Sequence, residues 1–263
     1  MNAIGVFDSG VGGLTVLNAL KTRFPYENFV YLADTARLPY GSKSLNTIHH
    51  YCEQNVRYLA KYDVKAVVIA CNSASTAILE QPLSSKIPIF NVVAPGARKA
   101  VERSESKRIG VLGTRATVIS EAYPHAIRKL APQAEIFQQP CPLFVPLVEE
   151  GWLDDPITNL IAYRYVNALL QKEIDTLILG CTHYPALRGS IQRVVGQGMQ
   201  LVDSSMGLIE DLEKSGLCAT SGDTTGTLKV MCTDNSPRLE ETFKLLLGSI
   251  TYDSLETVDI NEI

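Results

Sequence analysis

The sequence is short of the features that mark membrane, secreted and nucleic-acid-binding proteins. It has no apolar run of about 18 residues, the length that a membrane-spanning helix needs. Its first residues lack the basic region and the apolar stretch of a signal peptide. The 24 Lys and Arg residues are outnumbered by 28 Asp and Glu residues, and no long basic run occurs. We therefore expect a cytoplasmic protein that binds no membrane and does not take nucleic acid as its primary ligand.

Motifs for metals and nucleotides are also missing. None of the six cysteines belongs to a CxxC pair, so zinc fingers, iron–sulfur clusters and thioredoxin-type sites have no support, and no metal site is predicted. The glycines of GVGGLT at 10–15 do not complete a GxGxxG motif, because Thr15 stands where its last glycine is required. A tight turn after Asp8 that brings backbone close to a small ligand explains these glycines better. No cofactor is expected.

Short apolar runs alternate with amphipathic stretches along the 263 residues. The Val, Ile and Leu runs are typical of strands buried on both faces of a parallel sheet. They predict strands at 4–7, 29–33, 66–70, 87–93, 109–113, 176–180 and 199–202. Helical spacing predicts helices at 44–62, 117–130, 156–172, 186–195 and 236–247, the last with Ser236 as N-cap and Pro237 at its first position. The alternation indicates an α/β protein.

Two pairs of segments resemble each other at nearly constant offset. IGVFDS at 4–9 parallels IGVLGT at 109–114, and AVVIACNS at 66–73 parallels TLILGCTH at 176–183. Two pseudosymmetric lobes, each a mostly parallel sheet flanked by helices, explain this repetition better than one domain does. The predicted first lobe comprises residues 1–94 and about 205–263, and the second comprises 95–204. Pro95 and Gly96 interrupt the chain at this boundary.

Polar residues follow four of the predicted strands, at the sheet edge where α/β proteins bind ligands. They are Asp8 with Ser9, Cys71 with Asn72 and Ser73, Thr114, and Cys181 with Thr182 and His183. Each segment leads into a predicted helix, whose N-terminal dipole favours anions and lowers the pKa of a thiol. Core packing would account for either cysteine alone, and capping or a structural hydrogen bond for Asp8 or His183 alone. A carboxylate or an imidazole beside each strand-end thiol instead favours proton transfer.

Six segments in order resemble the cofactor-independent aspartate/glutamate racemase family, and among its members the glutamate racemases. These segments are DSGVGGLTVL at 8–17, DTARLPYGSKS at 34–44, VIACNSAS at 68–75, GVLGTRAT at 110–117, PLFVPLVEEG at 142–151 and LGCTHYP at 179–185. The resemblance implies two α/β lobes with the active site in the cleft between them. It also implies interconversion of L- and D-glutamate, which supplies D-glutamate for peptidoglycan. Family members are often dimeric, so a homodimer is one expected assembly.

The resemblance further implies roles for individual residues. Cys71 would take the α-proton from D-glutamate and Cys181 from L-glutamate, with Asp8, His183 and Glu149 as assisting acid or base groups; Glu150 is the alternative to Glu149. The remaining matches would hold the substrate's carboxylates and amino group, together with Asp8 and His183: Ser9, Tyr40, Gly41, Asn72, Ser73, Thr114, Thr117 and Thr182. The motifs offer almost no cations. Arg37 is taken as the nearest one, and a salt bridge in a loop explains it slightly better than substrate contact.

Three other functions stay open at this point. A racemase acting on aspartate or a hydantoin would share both cysteines. A thiol hydrolase would need one cysteine with its base, and would leave the second strand-end cysteine unexplained. A binding protein without catalysis would need neither thiol.

Overall fold

A computed structural model of the chain describes residues 2–260, and within them all paired strands are parallel. They form one sheet of six strands and another of four. The first sheet contains β1 (Ala3–Asp8), β2 (Phe29–Ala33), β3 (Val64–Ile69), β4 (Ile89–Asn91), β9 (Leu228–Cys232) and β10 (Ser254–Thr257), and the second contains β5 (Arg108–Gly113), β6 (Glu135–Pro140), β7 (Thr176–Gly180) and β8 (Gln200–Asp203). The α/β fold with two parallel sheets is therefore confirmed.

The two sheets share one topology. The strand order β10-β9-β2-β1-β3-β4 contains the order 2-1-3-4, and the second sheet repeats it as β6-β5-β7-β8. After β1 and after β5, the next strand lies on one side, and the strand after that, β3 or β7, lies on the other side. The crevice between β1 and β3, and likewise between β5 and β7, is the switch point at which such sheets bind ligands. The repeated sequence segments lie on these four strands.

Helices connect the strands and cover the sheets. They are α1 (Leu14–Arg23), α2 (Leu45–Leu59), α3 (Asn72–Glu80), α4 (Val93–Arg103), α5 (Arg115–Ile119), α6 (Ala122–Leu130), α7 (Phe144–Glu149), α8 (Pro156–Leu170), α9 (Arg188–Val195), α10 (Ser204–Ser215) and α11 (Pro237–Leu247). The predicted capping of α11 is present, because the Ser236 hydroxyl accepts from the N–H of Leu239 and Pro237 begins the helix. No helix in the described part of the chain is long and apolar enough to cross a bilayer.

Alternate residues along the central strands enter different apolar cores. Val6 of β1 and Leu112 of β5 belong to the same buried cluster, which thereby joins both sheets. Phe7 packs on the opposite face of the first sheet, and Val111 on the opposite face of the second. Strands buried on both faces in this way account for the continuous apolar runs of the sequence.

Most predicted elements differ from the structure by one to three residues at an end, and two of them differ more. The strand predicted at 87–93 ends at Asn91, because the Asn91 side chain accepts from the N–H groups of Val93 and Ala94 and starts α4 there. Pro95 and Gly96 accordingly lie in the first turn of a helix and do not interrupt the chain. The helix predicted at 117–130 is divided into α5 and α6, since Glu121 adopts a left-handed backbone conformation with φ of 55°.

Candidate active site

A cavity of about 280 Å³ lies where the switch points of the two sheets face each other. Its volume is near the lower end of the range for small-molecule sites. The wall is formed by residues that follow β1 and β3 of the first sheet and β5, β6 and β7 of the second, together with the loop before α2 and one side of α7. The cavity is therefore shared between the two sheets and suits a small ligand.

Cys71 follows β3 and immediately precedes α3, and its side chain lines the cavity. The residue is 5% exposed, and its thiol donates to the Ser9 hydroxyl at 3.5 Å. Burial raises the pKa of the Cys71 thiol to about 12, and the charge of Asp8 adds to the effect, while hydrogen bonds with Ser9 and Ala74 oppose it. Cys71 is consequently a protonated thiol at neutral pH.

Cys181 occupies the equivalent position after β7 in the second sheet and is 6% exposed. Its sulfur lies 3.9 Å from Nδ1 of His183, and both residues line the cavity. The two strand-end thiols therefore open into one cavity from equivalent positions in the two sheets. Because all six cysteines of the chain are buried, burial alone does not distinguish this pair.

His183 joins Cys181 to a carboxylate. Its Nε2 lies 3.0 Å from Oε1 of Glu149, at the end of α7. Burial would lower the pKa of His183, but hydrogen bonds to Cys181 and Glu149 and the charges on those groups raise it to about 10. A protonated imidazole then donates to Glu149, and its positive charge lies beside the Cys181 sulfur. Glu150 instead pairs with Arg238, so Glu149 is the carboxylate that contacts His183.

Asp8 lies behind the cavity wall and is fully buried. Its carboxylate accepts from the N–H of Gly10 at 3.0 Å and from the Thr182 hydroxyl at 3.2 Å. Burial raises the pKa of Asp8, although the charge of His183 and these hydrogen bonds oppose the shift. Asp8 therefore contacts the lining residues through Thr182, and a raised carboxyl pKa of this kind is typical of functional sites.

The glycines after Asp8 leave room for the side chains of His183, Thr182 and Asp8, which corrects the expectation that they approach a ligand. A Cβ on Gly12 would overlap the ring of His183 and the hydroxyl of Thr182. A Cβ on Gly13 would overlap Asp8 and lie 2.7 Å from the Tyr31 hydroxyl. None of these glycines lines the cavity.

Hydroxyl groups connect the two sheets on one side of the cavity. The Ser73 hydroxyl at the start of α3 is 2.9 Å from that of Thr114, which caps α5 and lies 3.0 Å from the hydroxyl of Thr117. Tyr40 and Gly41 form the neighbouring wall, and the Tyr40 hydroxyl donates to the buried carboxylate of Asp34. The hydroxyl groups of Ser73, Thr114 and Thr117 thus form a chain of neutral hydrogen bonds at the cavity edge.

Most of the residues singled out in the sequence meet at this cavity. Those in its wall are Ser9, Tyr40, Gly41, Cys71, Asn72, Ser73, Thr114, Glu149, Cys181, Thr182 and His183. Asp8 and Thr117 lie one layer behind, each bonded to a lining threonine. Sequence reasoning missed other parts of the wall, although the quoted motifs contain most of them: Leu38, Pro39, Ser42, Arg115, Cys141, Pro142, Val145, Pro146 and Tyr184.

The salt bridge in a loop that was favoured for Arg37 is present, but the choice of Arg37 as the nearest cation is wrong. Arg37 pairs with Asp34 at 2.6 Å and lies over the ring of Tyr51, outside the cavity wall. Of the residues that the structure describes, Arg115 is the only Lys or Arg that lines the cavity. It was overlooked although it directly follows Thr114 in a quoted motif.

Two similar parallel sheets with one small-molecule cavity between their switch points define a class of two-lobed α/β enzymes. Residues 17–210 match the family model described as Asp/Glu/Hydantoin racemase. The chain belongs to this family, and it is an amino-acid racemase.

Individual relatives agree with this classification. The chain is 43% identical to a glutamate racemase from Sulfurihydrogenibium sp., over 98% of either chain. Among solved structures it is similar to a glutamate racemase isoform from Bacillus anthracis, with a TM-score of 0.90, 32% identity and coverage of 98% of this chain and 97% of that one. It is also similar to the Francisella tularensis glutamate racemase in complex with D-glutamate, with a TM-score of 0.89, 33% identity and coverage of 100% and 99%.

Proposed function

We propose that this racemase interconverts L-glutamate and D-glutamate by moving a proton between the two faces of the α-carbon. The observation that carries the proposal is the pair of strand-end thiols, Cys71 and Cys181, at equivalent switch points on one cavity. The choice of glutamate as substrate is supported by the relatives, which are named for it, and by the D-glutamate bound in the Francisella structure.

Inversion of one carbon requires a base on one side and an acid on the other. From L-glutamate, the Cys181 thiolate takes the α-proton, and the Cys71 thiol delivers its own proton to the opposite face. The C–H bond that breaks and the C–H bond that forms are on the same carbon, so the substrate keeps its composition. After turnover Cys181 is the thiol and Cys71 the thiolate, which is the arrangement required for D-glutamate.

The surroundings of the two thiols support this division of roles. His183, which Glu149 holds, places a positive charge beside the sulfur that is proposed as the base for L-glutamate. The elevated pKa of Cys71 suits a proton donor in the L-to-D direction. In the reverse direction, Asp8 is the proposed group that receives or returns the proton on the Cys71 side, because its own pKa is raised and its charge acts on that thiol.

The negative charge that develops at the α-carbon needs stabilisation by groups that are already oriented. Most of the polar side chains in the cavity wall are neutral hydrogen-bond donors, and Arg115 lies at its exposed edge. The proposed substrate-holding residues are Ser9, Tyr40, Gly41, Asn72, Ser73, Thr114 and Thr182, with Thr117 acting through Thr114. The proposed reaction uses no cofactor, since both proton transfers are carried by side chains of the chain itself.

The cellular setting is part of the proposal. D-Glutamate made by this enzyme would supply peptidoglycan synthesis. A cytoplasmic location is supported by the six unpaired cysteines, which a reducing compartment preserves.

We also propose lobes of residues 1–94 with about 205–263 and of 95–204, because β1–β4, β9 and β10 share one sheet and β5–β8 the other. A homodimer remains the proposed assembly, which sedimentation equilibrium would test.

The proposal is tested by isotope incorporation in deuterated water. Each glutamate enantiomer, supplied without cofactor, is expected to yield its mirror image carrying one deuterium at the α-carbon. Aspartate and a hydantoin are supplied in parallel, and conversion of either in preference to glutamate would contradict the proposed substrate.

Replacing either thiol tests the two-cysteine chemistry. Cys71→Ala and Cys181→Ala are each expected to reduce racemisation by at least about 10²–10⁴-fold, since each removes an essential acid or base. Cys218→Ala is the matched control, because Cys218 is buried outside the cavity and its loss removes a thiol without touching the site. Activity near the unaltered level in either cavity variant would refute a mechanism with two thiols.

A further inference from the structure

The side-chain amide of Asn72 is held by two hydroxyl groups. Asn72 begins α3 directly after Cys71, lines the cavity and is 1% exposed. Its Oδ1 accepts from the Tyr123 hydroxyl at 2.7 Å and from the Ser204 hydroxyl at 3.2 Å. Among the described residues, none accepts from its buried Nδ2. One half of the amide is thus fully bonded, while the other half is an unsatisfied donor.

Tyr123 and Ser204 reach Asn72 from elements that follow strands of the second sheet. Tyr123 lies in α6 and is fully buried, and Ser204 begins α10 after β8 and is 3% exposed. Their oxygen atoms are 3.5 Å apart, and neither residue lines the cavity. Burial raises the pKa of Tyr123, so its hydroxyl remains protonated and able to donate.

A buried donor without a partner is costly, and native proteins rarely leave one unless a ligand completes it. An Nδ2 group can only donate, so its partner must be an acceptor. In an amino dicarboxylate the acceptors are carboxylate oxygens, whereas the ammonium group has donors alone. The orientation of the amide therefore determines which part of the substrate Asn72 can bind.

We propose that Tyr123 and Ser204 are positioning residues that fix the Asn72 amide with Nδ2 toward the cavity, where it donates to a substrate carboxylate. This inference rests on the proposed function, because it takes glutamate as the ligand. It adds two residues outside the cavity wall to the recognition of substrate. Substrate recognition then also depends on the contact of α3, which follows the first sheet's β3, with α6 and α10, which follow strands of the second sheet.

The first experiment measures steady-state kinetics for both enantiomers with Tyr123→Phe, Ser204→Ala and Asn72→Ala. Tyr123→Phe and Ser204→Ala are each expected to raise KM by about 3- to 10-fold, the effect of one net hydrogen bond, with a smaller change in kcat. Once Asn72→Ala is present, adding Tyr123→Phe should change KM by less than about twofold, because its target is gone. A structural role for Tyr123 would lower activity equally in both backgrounds, and that result would overturn the proposal.

The second experiment determines which half of the amide faces the substrate. Asn72→Asp replaces the donor with a carboxylate oxygen, so it should raise KM above the value of Asn72→Ala through repulsion of the substrate carboxylate. A KM for Asn72→Asp at or below that of Asn72→Ala would mean that an acceptor faces the ammonium group, and would refute the proposed orientation.

Tyr58→Phe is the matched control, since Tyr58 is a buried tyrosine on α2 whose hydroxyl lies 3.2 Å from that of Tyr62, away from the cavity. Its kinetics should equal those of the unaltered enzyme. Should Tyr123→Phe fail to fold, as judged by thermal unfolding, Ser204→Ala carries the same test. Racemisation of glutamate by the unaltered chain is measured first, so that failure of the proposed function is separated from failure of the positioning role.

Discussion

At the scale of single residues, two adjacent glutamates have different surroundings. Glu149 ends α7 and contacts Nε2 of His183, whereas Glu150 pairs with the exposed side chain of Arg238. The sequence could not separate them, because both follow the same apolar run and both are carboxylates. Their difference arises from the direction in which the last turn of α7 projects each side chain, and this depends on packing against the second sheet.

The contact between Glu149 and His183 should affect how the rate of racemisation depends on pH. His183 is protonated below its pKa of about 10 and loses its charge as the pH rises through that value. Glu149→Gln removes one negative charge and weakens one hydrogen bond that raise this pKa, so the imidazole should become neutral at a lower pH. We expect the alkaline limb of the kcat/KM profile for L-glutamate to move to lower pH in Glu149→Gln.

The matched control is Glu150→Gln, which removes an equal charge one residue away and should leave the profile unchanged. The measurement is the rate of racemisation at fixed ionic strength between neutral pH and the alkaline limit of stability. An identical displacement in both variants would indicate a general charge effect and would contradict the role of Glu149.

At the scale of elements, α4 and α10 pack closely because α10 has a glycine at their contact. A Cβ on Gly207 would overlap the backbone carbonyl of Pro95 in α4. Arg98, also in α4, donates to the carbonyl oxygen of Gly207 at 3.0 Å and pairs with Asp211 at 2.8 Å. Both helices border the chain crossing between the two sheets, so their contact helps to fix one sheet relative to the other.

Replacing Gly207 by alanine should therefore not give the stabilisation that this substitution normally gives inside a helix. Helix propensity favours alanine over glycine by about 1 kcal/mol. Overpacking against a backbone group costs about 1–3 kcal/mol, so Gly207→Ala is expected to be neutral to destabilising, by up to about 2 kcal/mol. Gly189→Ala is the control, because Gly189 lies in α9 with its nearest neighbour 4.0 Å from the added Cβ, and it should stabilise. Urea unfolding measures both free energies, and equal stabilisation of the two variants would contradict the tight contact.

The burial and packing of each strand and helix also explain which elements could be predicted from the sequence. The buried central strands have continuous apolar runs, and β7 and β2 match their predicted bounds. The β6, β9 and β10 strands were missed. Two of them, β6 and β10, lie at sheet edges and carry polar residues with partial burial, whereas β9 is an interior strand whose short apolar run is interrupted by Lys229. The helical spacing did not identify α4 or α10, in which Pro95, Gly96 and Gly207 interrupt the pattern that tertiary contacts restore.

At the scale of the whole molecule, the cavity and the largest core both draw on the two sheets. A ligand in the cavity therefore contacts both sheets at once, and it stabilises the folded protein as a unit. Binding at a concentration of 100 Kd contributes about 2.7 kcal/mol. For a chain of this size each kcal/mol raises Tm by about 2–4 °C, so D-glutamate should raise it by about 5–10 °C.

Scanning calorimetry with and without D-glutamate measures this shift. Glutamine at the same concentration is the control ligand, because it lacks the second carboxylate and should stabilise less. One transition that moves as a whole is the expected result. Two transitions of which one moves would contradict a cavity that depends on both sheets.

The sequence by itself determined the α/β class, the duplicated pattern and the two strand-end thiols, since these follow from local features: apolar runs, repeated segments and the residue types after each strand. The tertiary structure decided that Arg115 and not Arg37 lines the cavity, that Glu149 contacts His183, and that Tyr123 and Ser204 hold the Asn72 amide. These outcomes depend on how helices from separate parts of the chain pack. No local pattern specifies the direction of a side chain across the contact between two sheets.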